Sequence, residues 1–203
     1  HKKQSGGSGE FAEVWLRVEP TERGAGLEFV NSIFGGAISQ SYVQSVEKGI
    51  TAMMKDGVIA GCEFVDIKVE VYDGKEHPVD SKDVAFQKAG RGAFKEAVNN
   101  ARPVLLEPIV NLEVTFPSEY TGDIQGDVTR RRGRVQGVDT LGDFQTLKAL
   151  VPLAEISDYA SSLGSVTGGQ GSYTIELANY ETAPGNVQQK VVEAYKAERN
   201  QEE

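Results

Sequence analysis

Apolar and polar residues alternate along two segments in the first half of the chain. Segments 14–18 and 65–71 have the two-residue period of a half-buried strand. A turn at Arg23-Gly24-Ala25-Gly26 leads to Leu27 and Phe29. We expect these two residues to lie on a strand that forms a hairpin with the first.

Apolar residues three and four positions apart predict two helices in the same half. The first spans about 41–55, and the second begins at a cap provided by Asp80 or Ser81 and ends before the next proline. Gly90 and Gly92 lie inside the second helix, where each destabilises by about 1 kcal/mol relative to alanine. We therefore expect that both glycines allow close packing against a neighbouring element.

The second half of the chain predicts the order strand, helix, strand, strand, helix, strand. The strands are 110–116, 134–138, 144–151 and 173–177. Pro152 is suited to begin the second of the two helices, and Gly164 to end it. This βαββαβ order is that of the ferredoxin-like fold. A further helix is predicted from about Val187 to Arg199.

The first helix of this half has the sequence TGDIQGDVTRRRG, residues 121–133. Its apolar residues lie four apart on one face. Arg130, Arg131 and Arg132 lie in the last turn, where cations meet the negative end of the helix dipole. We expect Gly133 to supply the left-handed residue that ends the helix.

Length and composition indicate a folded chain of one large or two small domains. It has 203 residues, of which 39% are hydrophobic and 25% charged. Its apolar runs are far shorter than the roughly 20 residues needed to cross a membrane, and no secretory leader opens it. The single cysteine, Cys62, fits a reducing compartment, so we expect a cytoplasmic protein. The start at His1, without an initiator methionine, suggests a fragment of a longer protein.

The net charge of −9 argues against a general nucleic-acid binder, which usually has a basic face. The acidic excess is concentrated in residues 104–203, which have 8 basic and 15 acidic residues. Any contact with RNA must therefore be local, through loops or through the cluster Arg130–Arg134.

The chain contains none of the motifs that mark common catalytic sites. The glycine-rich stretch Gln4–Gly9 lacks the Lys-Ser/Thr that a phosphate-binding loop requires. His77 is a lone histidine in a charged loop, with no evident nucleophile beside it. Cys62, His1 and His77 are too few to form a structural zinc site. We expect no catalytic, cofactor-binding or metal-binding residues.

Several segments resemble elongation factor G in one continuous order. The opening residues 1–9, the turn 35–38, Asp80-Ser81 and the segment 102–109 resemble its fourth domain. The arginine-ended helix, the segment 151–155 and Ala183-Pro184 resemble its fifth domain. The resemblance implies an α+β chain. Residues 1–103 would form an α/β domain like domain 2 of ribosomal protein S5, with a left-handed βαβ crossover, and residues 104–203 a ferredoxin-like domain with a C-terminal helix.

The resemblance also implies the C-terminal part of a ribosome-bound translational GTPase. GTP and Mg²⁺ would bind to a G domain that acts in cis and is absent from this fragment. The fragment would then have no cofactor and no enzymatic activity, although its parent would be a GTPase. Its partners would be the ribosome and the tRNA–mRNA duplex, with no membrane.

In that family the fourth domain is a rigid finger whose tip loops enter the decoding region of the small subunit and prevent the tRNA–mRNA duplex from slipping back during translocation. By match to the family, two loops would form the tip, namely Arg23, Gly24, Ala25 and Gly26, and Glu76, His77, Pro78 and Val79. The fifth domain would touch rRNA of the large subunit near the factor-binding centre, with phosphate contacts from Arg130, Arg131 and Arg132. The alternative is that these arginines are a helix-end cluster paired with Asp123 and Asp127.

Three positions depart from the family pattern near the proposed tip. The loop Glu22–Leu27 is shorter than usual, Ser39 replaces a proline, and Pro78 follows His77 where an acidic residue is more familiar. The parent is therefore either the main translocase or a paralogue that acts in ribosome recycling or ribosome protection. A free-standing RNA-binding module and a small-molecule kinase of the same S5-like superfold remain as alternatives.

Overall fold

The computed structural model describes residues 1–3 and 8–202, so most of the glycine-rich opening stretch, residues 4–7, lies outside the described part. The chain forms two compact units. The first unit consists of His1–Pro103 and Gln189–Glu203, and the second of Val104–Gln188. The C-terminal segment from Gln189 thus belongs with the first unit, whereas the sequence assigned it to the second domain.

The first unit combines a short hairpin, a three-stranded sheet and two helices. Its elements are β1 (Lys2–Lys3), β2 (Glu10–Phe11), β3 (Glu13–Pro20), β4 (Leu27–Asn31), α1 (Gln40–Asp56), β5 (Ile67–Lys75) and α2 (Asp83–Asn100). β1 pairs with β2, and the sheet has the order β3-β5-β4. Side chains of both helices and of the central strand form one core, which includes Val46, Ile50, Phe86 and Val69.

The predicted hairpin between β3 and β4 is wrong, because β5 lies between these two strands. β3 is antiparallel to β5, with Pro20 opposite Ile67, and β4 is parallel to β5, with Leu27 also opposite Ile67. β5 has the most deeply buried side chains of the three strands. Because β5 is the central strand, its backbone is hydrogen-bonded to a neighbouring strand along both edges. This would not be possible if β3 and β4 were paired directly with each other.

The two helices of the first unit approach each other closely at glycines. A Cβ added at Gly49 of α1 would lie 2.2 Å from the Gln87 carbonyl oxygen, and one added at Gly90 of α2 would lie 2.8 Å from the Val46 carbonyl oxygen. Neither position has room for a side chain, which confirms the packing role predicted for Gly90. The same prediction is wrong for Gly92, where an added Cβ would meet nothing within 4 Å.

The second unit has the predicted βαββαβ order. Its elements are β6 (Leu106–Pro117), α3 (Thr121–Arg130), β7 (Arg134–Leu141), β8 (Phe144–Pro152), α4 (Tyr159–Val166) and β9 (Ser172–Thr182). The sheet is antiparallel with the order β7-β8-β6-β9. Its core includes Leu112 and Phe116 of β6, Ile124 and Val128 of α3, and Tyr159 of α4. The helix α5 (Gly185–Glu202) follows.

The predicted bounds of α4 differ from those observed. Pro152 is the last residue of β8, and the 3-10 helix Leu153–Ile156 separates it from α4. Gly164 lies inside α4, which continues to Val166. The left-handed residues that follow the helix are Gly168 and Gly169, with φ of 59° and 83°. These glycines, and not Gly164, allow the chain to turn back to β9.

The end of α3 also differs from the prediction, because Arg132 and not Gly133 is left-handed, with φ of 59°. The Gly133 N–H donates to the Val128 carbonyl at 2.8 Å, and the Arg132 N–H to the Thr129 carbonyl at 3.1 Å. These two bonds form a Schellman motif. Gly133 is required for space instead, since a Cβ there would lie 2.6 Å from the Val128 carbonyl oxygen.

Candidate functional site

The predicted loop at Glu76–Val79 follows β5 and is closed by its own hydrogen bonds. The His77 N–H donates to Ser81 Oγ at 2.8 Å, and the Ser81 N–H donates to the His77 carbonyl at 3.2 Å. Glu76 connects the loop to the residue before α1, because its Oε2 accepts the Ser39 N–H at 3.0 Å. The loop is therefore built from specific bonds at both of its ends.

The imidazole of His77 takes part in this structure. Its Nδ1 accepts the backbone N–H groups of Val79, at 3.2 Å, and Asp80, at 3.1 Å. The ring centroid lies 6.0 Å from that of Phe11 on β2. The His77 side chain nevertheless remains 44% exposed, so part of the ring is accessible to a partner.

The hairpin of β1 and β2 packs against the His77 loop. The Phe11 N–H donates to the Asp80 carbonyl at 2.9 Å, and the Ser81 hydroxyl donates to the Phe11 carbonyl at 2.8 Å. A Cβ added at Gly9 would lie 2.4 Å from Asp80 Oδ1. Ser81 thus joins two elements, and the N-cap of α2 is Lys82 instead of the predicted Asp80 or Ser81.

Cationic side chains gather around Glu10 of the same hairpin. Its Oε2 lies 2.8 Å from Lys88 Nζ and 2.6 Å from His1 Nε2. The hydrogen bond from Lys88 lowers the pKa of the Glu10 carboxyl, and the charges of Lys3 and Lys82 lower it further. This cluster could not be predicted from the sequence, because Lys3 and Glu10 are far along the chain from Lys82 and Lys88 and meet them only where β2, α2 and the His77 loop come together.

Two exposed apolar side chains belong to the same end of the sheet. Val79 is 77% exposed, and Phe34, in the connection between β4 and α1, is 94% exposed. Because β4 and β5 are parallel, this connection and the His77 loop leave the sheet at the same end. Gly35 and Gly36, which follow the phenylalanine, have φ of 69° and 71°. We call Phe34, the loop 76–81 and the hairpin of β1 and β2 the tip surface.

The other predicted tip loop, Arg23-Gly24-Ala25-Gly26, lies at the opposite end of β5. Asp66 immediately precedes β5, and its Oδ1 accepts the N–H groups of Gly24 and Gly26, each at 3.0 Å. The structure therefore does not bring this loop together with His77. The length of β5 separates them by roughly 25 Å at 3.3 Å per residue.

Asp66 organises this second loop from a nearly buried position. Its side chain is 8% exposed, and its Oδ2 lies 3.6 Å from Arg23 Nη1. The pKa of the Asp66 carboxyl is lowered, first by the hydrogen bonds from the N–H groups of Gly26 and Gly24, and then by the charge of Arg23. These contacts are internal to the fold.

The arginines at the end of α3 differ in their surroundings. Arg131 Nε donates to Asp127 Oδ2 at 2.8 Å, and its Nη1 donates to Asp158 Oδ1 at 2.6 Å. The guanidinium also lies over the ring of Tyr159, 5.2 Å from the centroid. Burial raises the pKa of Tyr159 to about 12. With 13% of its side chain exposed, Arg131 has a structural role.

Arg132 is bound in a similar way, whereas Arg130 is not. Both terminal nitrogens of Arg132 donate to the Glu107 carboxylate, at 2.9 and 2.7 Å, and its Nε donates to Glu155 Oε1 at 2.9 Å. The Arg130 side chain is 77% exposed, and its contact with Asp127 Oδ1, at 3.5 Å, is longer than the ion pairs of Arg131 and Arg132. Arg131 is thus paired with Asp127, one of the two predicted partners, whereas Arg132 is paired with Glu107 and Glu155, which were not predicted. Arg130 remains available for an external anion.

Neither a metal site nor a membrane span is present in the part of the chain that the structure describes. Within residues 1–3 and 8–202, no group of three or more histidine, cysteine, aspartate or glutamate side chains is arranged to hold a metal ion. In the same residues, no helix combines the length and the apolar character needed to cross a membrane.

Comparisons with known proteins match both units. Residues 1–102 match the family model described as elongation factor G, domain IV. Residues 104–191 match the model described as elongation factor G C-terminus. The chain is also similar to a protein of known crystal structure from Thermus thermophilus, with 42% identity and a TM-score of 0.78. That similarity covers 97% of this chain but 29% of the Thermus chain, so the present chain spans less than one third of that protein's length.

Proposed function

The chain belongs to the elongation factor G family, and from this we propose that it is the ribosome-binding C-terminal part of a translational GTPase that promotes tRNA–mRNA translocation. The first unit would enter the decoding region of the small subunit. The second would contact rRNA near the factor-binding centre of the large subunit. GTP and Mg²⁺ would bind to a G domain of the parent, which would be the enzyme.

The observation that carries this proposal is the construction of the tip surface. A domain that blocks backward movement of an RNA duplex needs a stiff contact surface more than it needs catalytic groups. This stiffness is supplied by the bonds that His77 and Ser81 make within the loop, by the Ser81 hydroxyl donating to the Phe11 carbonyl, and by the Phe11 N–H donating to the Asp80 carbonyl. At the same time the His77 ring remains accessible to RNA.

The chemistry of the tip surface suits RNA despite the acidic composition of the chain. Lys3 and Lys82 lie near Glu10 and add positive charge that would attract phosphates, whereas Lys88 is already paired with Glu10 at 2.8 Å. The exposed ring of Phe34 is of the type that stacks on unpaired bases. We leave Arg23–Gly26 out of the tip, because Asp66 holds that loop at the other end of the sheet.

In the second unit, the proposed large-subunit contact reduces to Arg130. Arg131 and Arg132 already donate to carboxylates of the unit itself. A phosphate oxygen would have to displace these partners, which lie at 2.6 to 2.9 Å. Arg130 can reach a phosphate without disturbing the fold.

One observation favours the alternative of a paralogue that acts in ribosome recycling or ribosome protection. Ser39 stands where the family pattern has proline, and its backbone N–H donates to Glu76 in the tip loop. Proline has no N–H and cannot make this bond. The tip loop of this protein is thus held by a contact that the usual family sequence lacks.

A single-round translocation assay with the full-length factor tests the proposal. Wild-type factor should accelerate movement of the tRNA–mRNA duplex, and His77→Ala should slow the movement while GTP turnover is retained. Splitting of post-termination ribosomes and rescue of antibiotic-stalled ribosomes should be measured with the same preparation. A factor that hydrolyses GTP on the ribosome but leaves translocation at its spontaneous rate would contradict the main proposal, and activity in one of the other two assays would identify the alternative.

A further inference from the structure

We propose that the tip loop holds His77 as the neutral Nε2–H tautomer, so that the tip presents an uncharged hydrogen-bond donor to an acceptor atom of RNA. This inference rests on the proposed function for the identity of the partner. The state of the ring itself follows from contacts within the loop and can be measured without a ribosome.

The argument begins with the two donors that face Nδ1. The Val79 and Asp80 N–H groups point at this nitrogen from 3.2 and 3.1 Å. A backbone amide is a donor, so both contacts require an unprotonated Nδ1 with a free lone pair. In a neutral imidazole one nitrogen is a donor and the other an acceptor. The proton must then be on Nε2.

The carboxylate of Asp80 does not reverse this assignment. Its Oδ2 lies 3.6 Å from Nδ1, which is longer than the 2.7–3.2 Å of an N–H···O hydrogen bond. A proton on Nδ1 would therefore gain no good bond to Asp80. It would also be opposed by two amide hydrogens in the same space.

The position of the ring leaves Nε2 for a partner. No hydrogen bond within the described residues engages this nitrogen, and the side chain is 44% exposed. An Nε2–H group donates to phosphate oxygens, 2′-hydroxyl oxygens and base acceptors, all of which RNA offers. Lys3 and Lys82 supply attraction to phosphate nearby. The neutral ring adds a directional bond, which favours one alignment of the RNA.

Ser81 is the positioning residue for this donor. Its hydroxyl accepts the His77 N–H and donates to the Phe11 carbonyl, at 2.8 Å in both cases. The backbone of His77 is thus fixed to β2 on one side, while the amides of Val79 and Asp80 fix the ring on the other. Loss of the hydroxyl should free the ring to exchange between its tautomers.

The first experiment is ¹⁵N NMR of the 203-residue chain with ¹⁵N-labelled histidine at mildly alkaline pH. We expect a single tautomer for His77, with a pyridine-like Nδ1 and a pyrrole-like Nε2. The same chain unfolded in urea provides the reference for a mixture of tautomers. The Ser81→Ala variant should move towards that mixture. A proton on Nδ1 in the folded wild type would overturn the inference.

The second experiment separates the role of Nε2–H as a donor to RNA from the role of Nδ1 as an acceptor within the loop. An asparagine side-chain oxygen can accept backbone N–H groups two and three residues on. His77→Asn should therefore keep the loop folded, but its amide N–H₂ group is closer to the backbone than Nε2 and should not reach the same RNA acceptor, whereas His77→Ala loses both groups. We expect unchanged thermal stability for His77→Asn and translocation about five- to tenfold slower than wild type, as for the loss of one hydrogen bond.

The outcomes distinguish this inference from the proposed function. If wild-type factor drives translocation and His77→Asn does so at the full rate, the outward donor is not used and the inference fails while the function stands. If wild-type factor drives no translocation, the proposed function fails, and the NMR result still decides the tautomer.

Discussion

The guanidinium of Arg132 binds the carboxylate of Glu107 through two parallel bonds of 2.9 and 2.7 Å, although the residues are 25 positions apart. The Glu107 side chain is 11% exposed. A bidentate pair of this kind fixes geometry as well as charge. It joins the end of α3 to the start of β6.

We predict that Arg132→Ala lowers the free energy of unfolding by about 2–3 kcal/mol, because Glu107 is left nearly buried without its cation. Arg132→Lys should recover only part of this loss, since an ammonium group lacks the planar fork. Urea denaturation measures both values. Arg130→Ala is the matched control, and its effect should remain within about 0.5 kcal/mol. Equal losses of unfolding free energy for Arg132→Ala and Arg130→Ala would show that the Arg132–Glu107 pair does not stabilise the fold.

The same helix shows what the sequence could and could not predict. Its apolar face follows from local spacing and is confirmed by the buried Ile124 and Val128, but the helix ends at Arg130, so only this one of the three arginines lies in its last turn. The left-handed residue was assigned to glycine on propensity alone. Contacts from distant elements, Glu107 and Glu155, hold Arg132 in that conformation instead. The local spacing of residues in the sequence cannot predict contacts with residues so far away along the chain.

The glycines of α2 provide a second prediction, with its control in the same helix. Gly90→Ala should destabilise the chain by about 1–3 kcal/mol, because the new methyl group would overlap the backbone of Val46. Gly92→Ala should stabilise it by up to about 1 kcal/mol, because alanine favours the helix and finds open space. Thermal or urea unfolding of the two variants gives opposite signs if the close helix crossing is real. Two changes of the same sign would contradict it.

The candidate site was only partly predictable, and the reason is topological. His77 and its neighbours were identified from a resemblance, and the structure shows a loop built around them. The loop Arg23–Gly26 was placed in the tip by the same resemblance. Because β4 is parallel to β5, this loop, which precedes β4, lies at the start of β5, whereas the His77 loop follows its end. Conversely, Phe11 of the β1–β2 hairpin contacts the His77 loop through Ser81, about 70 positions further along the chain. The spacing of apolar residues predicts local elements and not contacts over such a distance.

The loop held by Asp66 predicts a dependence of stability on pH. The folded state lowers the pKa of this carboxyl, so its contribution to stability is complete above the unfolded value of about 3.9 and is lost as the pH falls through the lower folded value. Asp66→Asn keeps a side-chain acceptor and tolerates the left-handed backbone, which has φ of 57°. The stability advantage of wild type over this variant should be largest at neutral pH and shrink in acid. Urea denaturation between neutral and acidic pH measures it, and a difference that does not change with pH would contradict the assignment.

The last prediction concerns the exposed arginine of the second unit. If Arg130 contacts a phosphate of rRNA, Arg130→Ala in the full-length factor should weaken ribosome binding, with a loss that is greatest at low salt. Removal of one phosphate contact should reduce the slope of log K against log salt concentration by about 1. Because the side chain is 77% exposed and its nearest carboxylate is at 3.5 Å, this loss cannot come from unfolding. Lys148→Ala is a suitable control, since it removes another exposed cation of the unit, one that is paired with Asp139 at 3.0 Å. An unchanged salt slope for Arg130→Ala would exclude the phosphate contact, and the large-subunit interface would then have to be sought elsewhere on the unit.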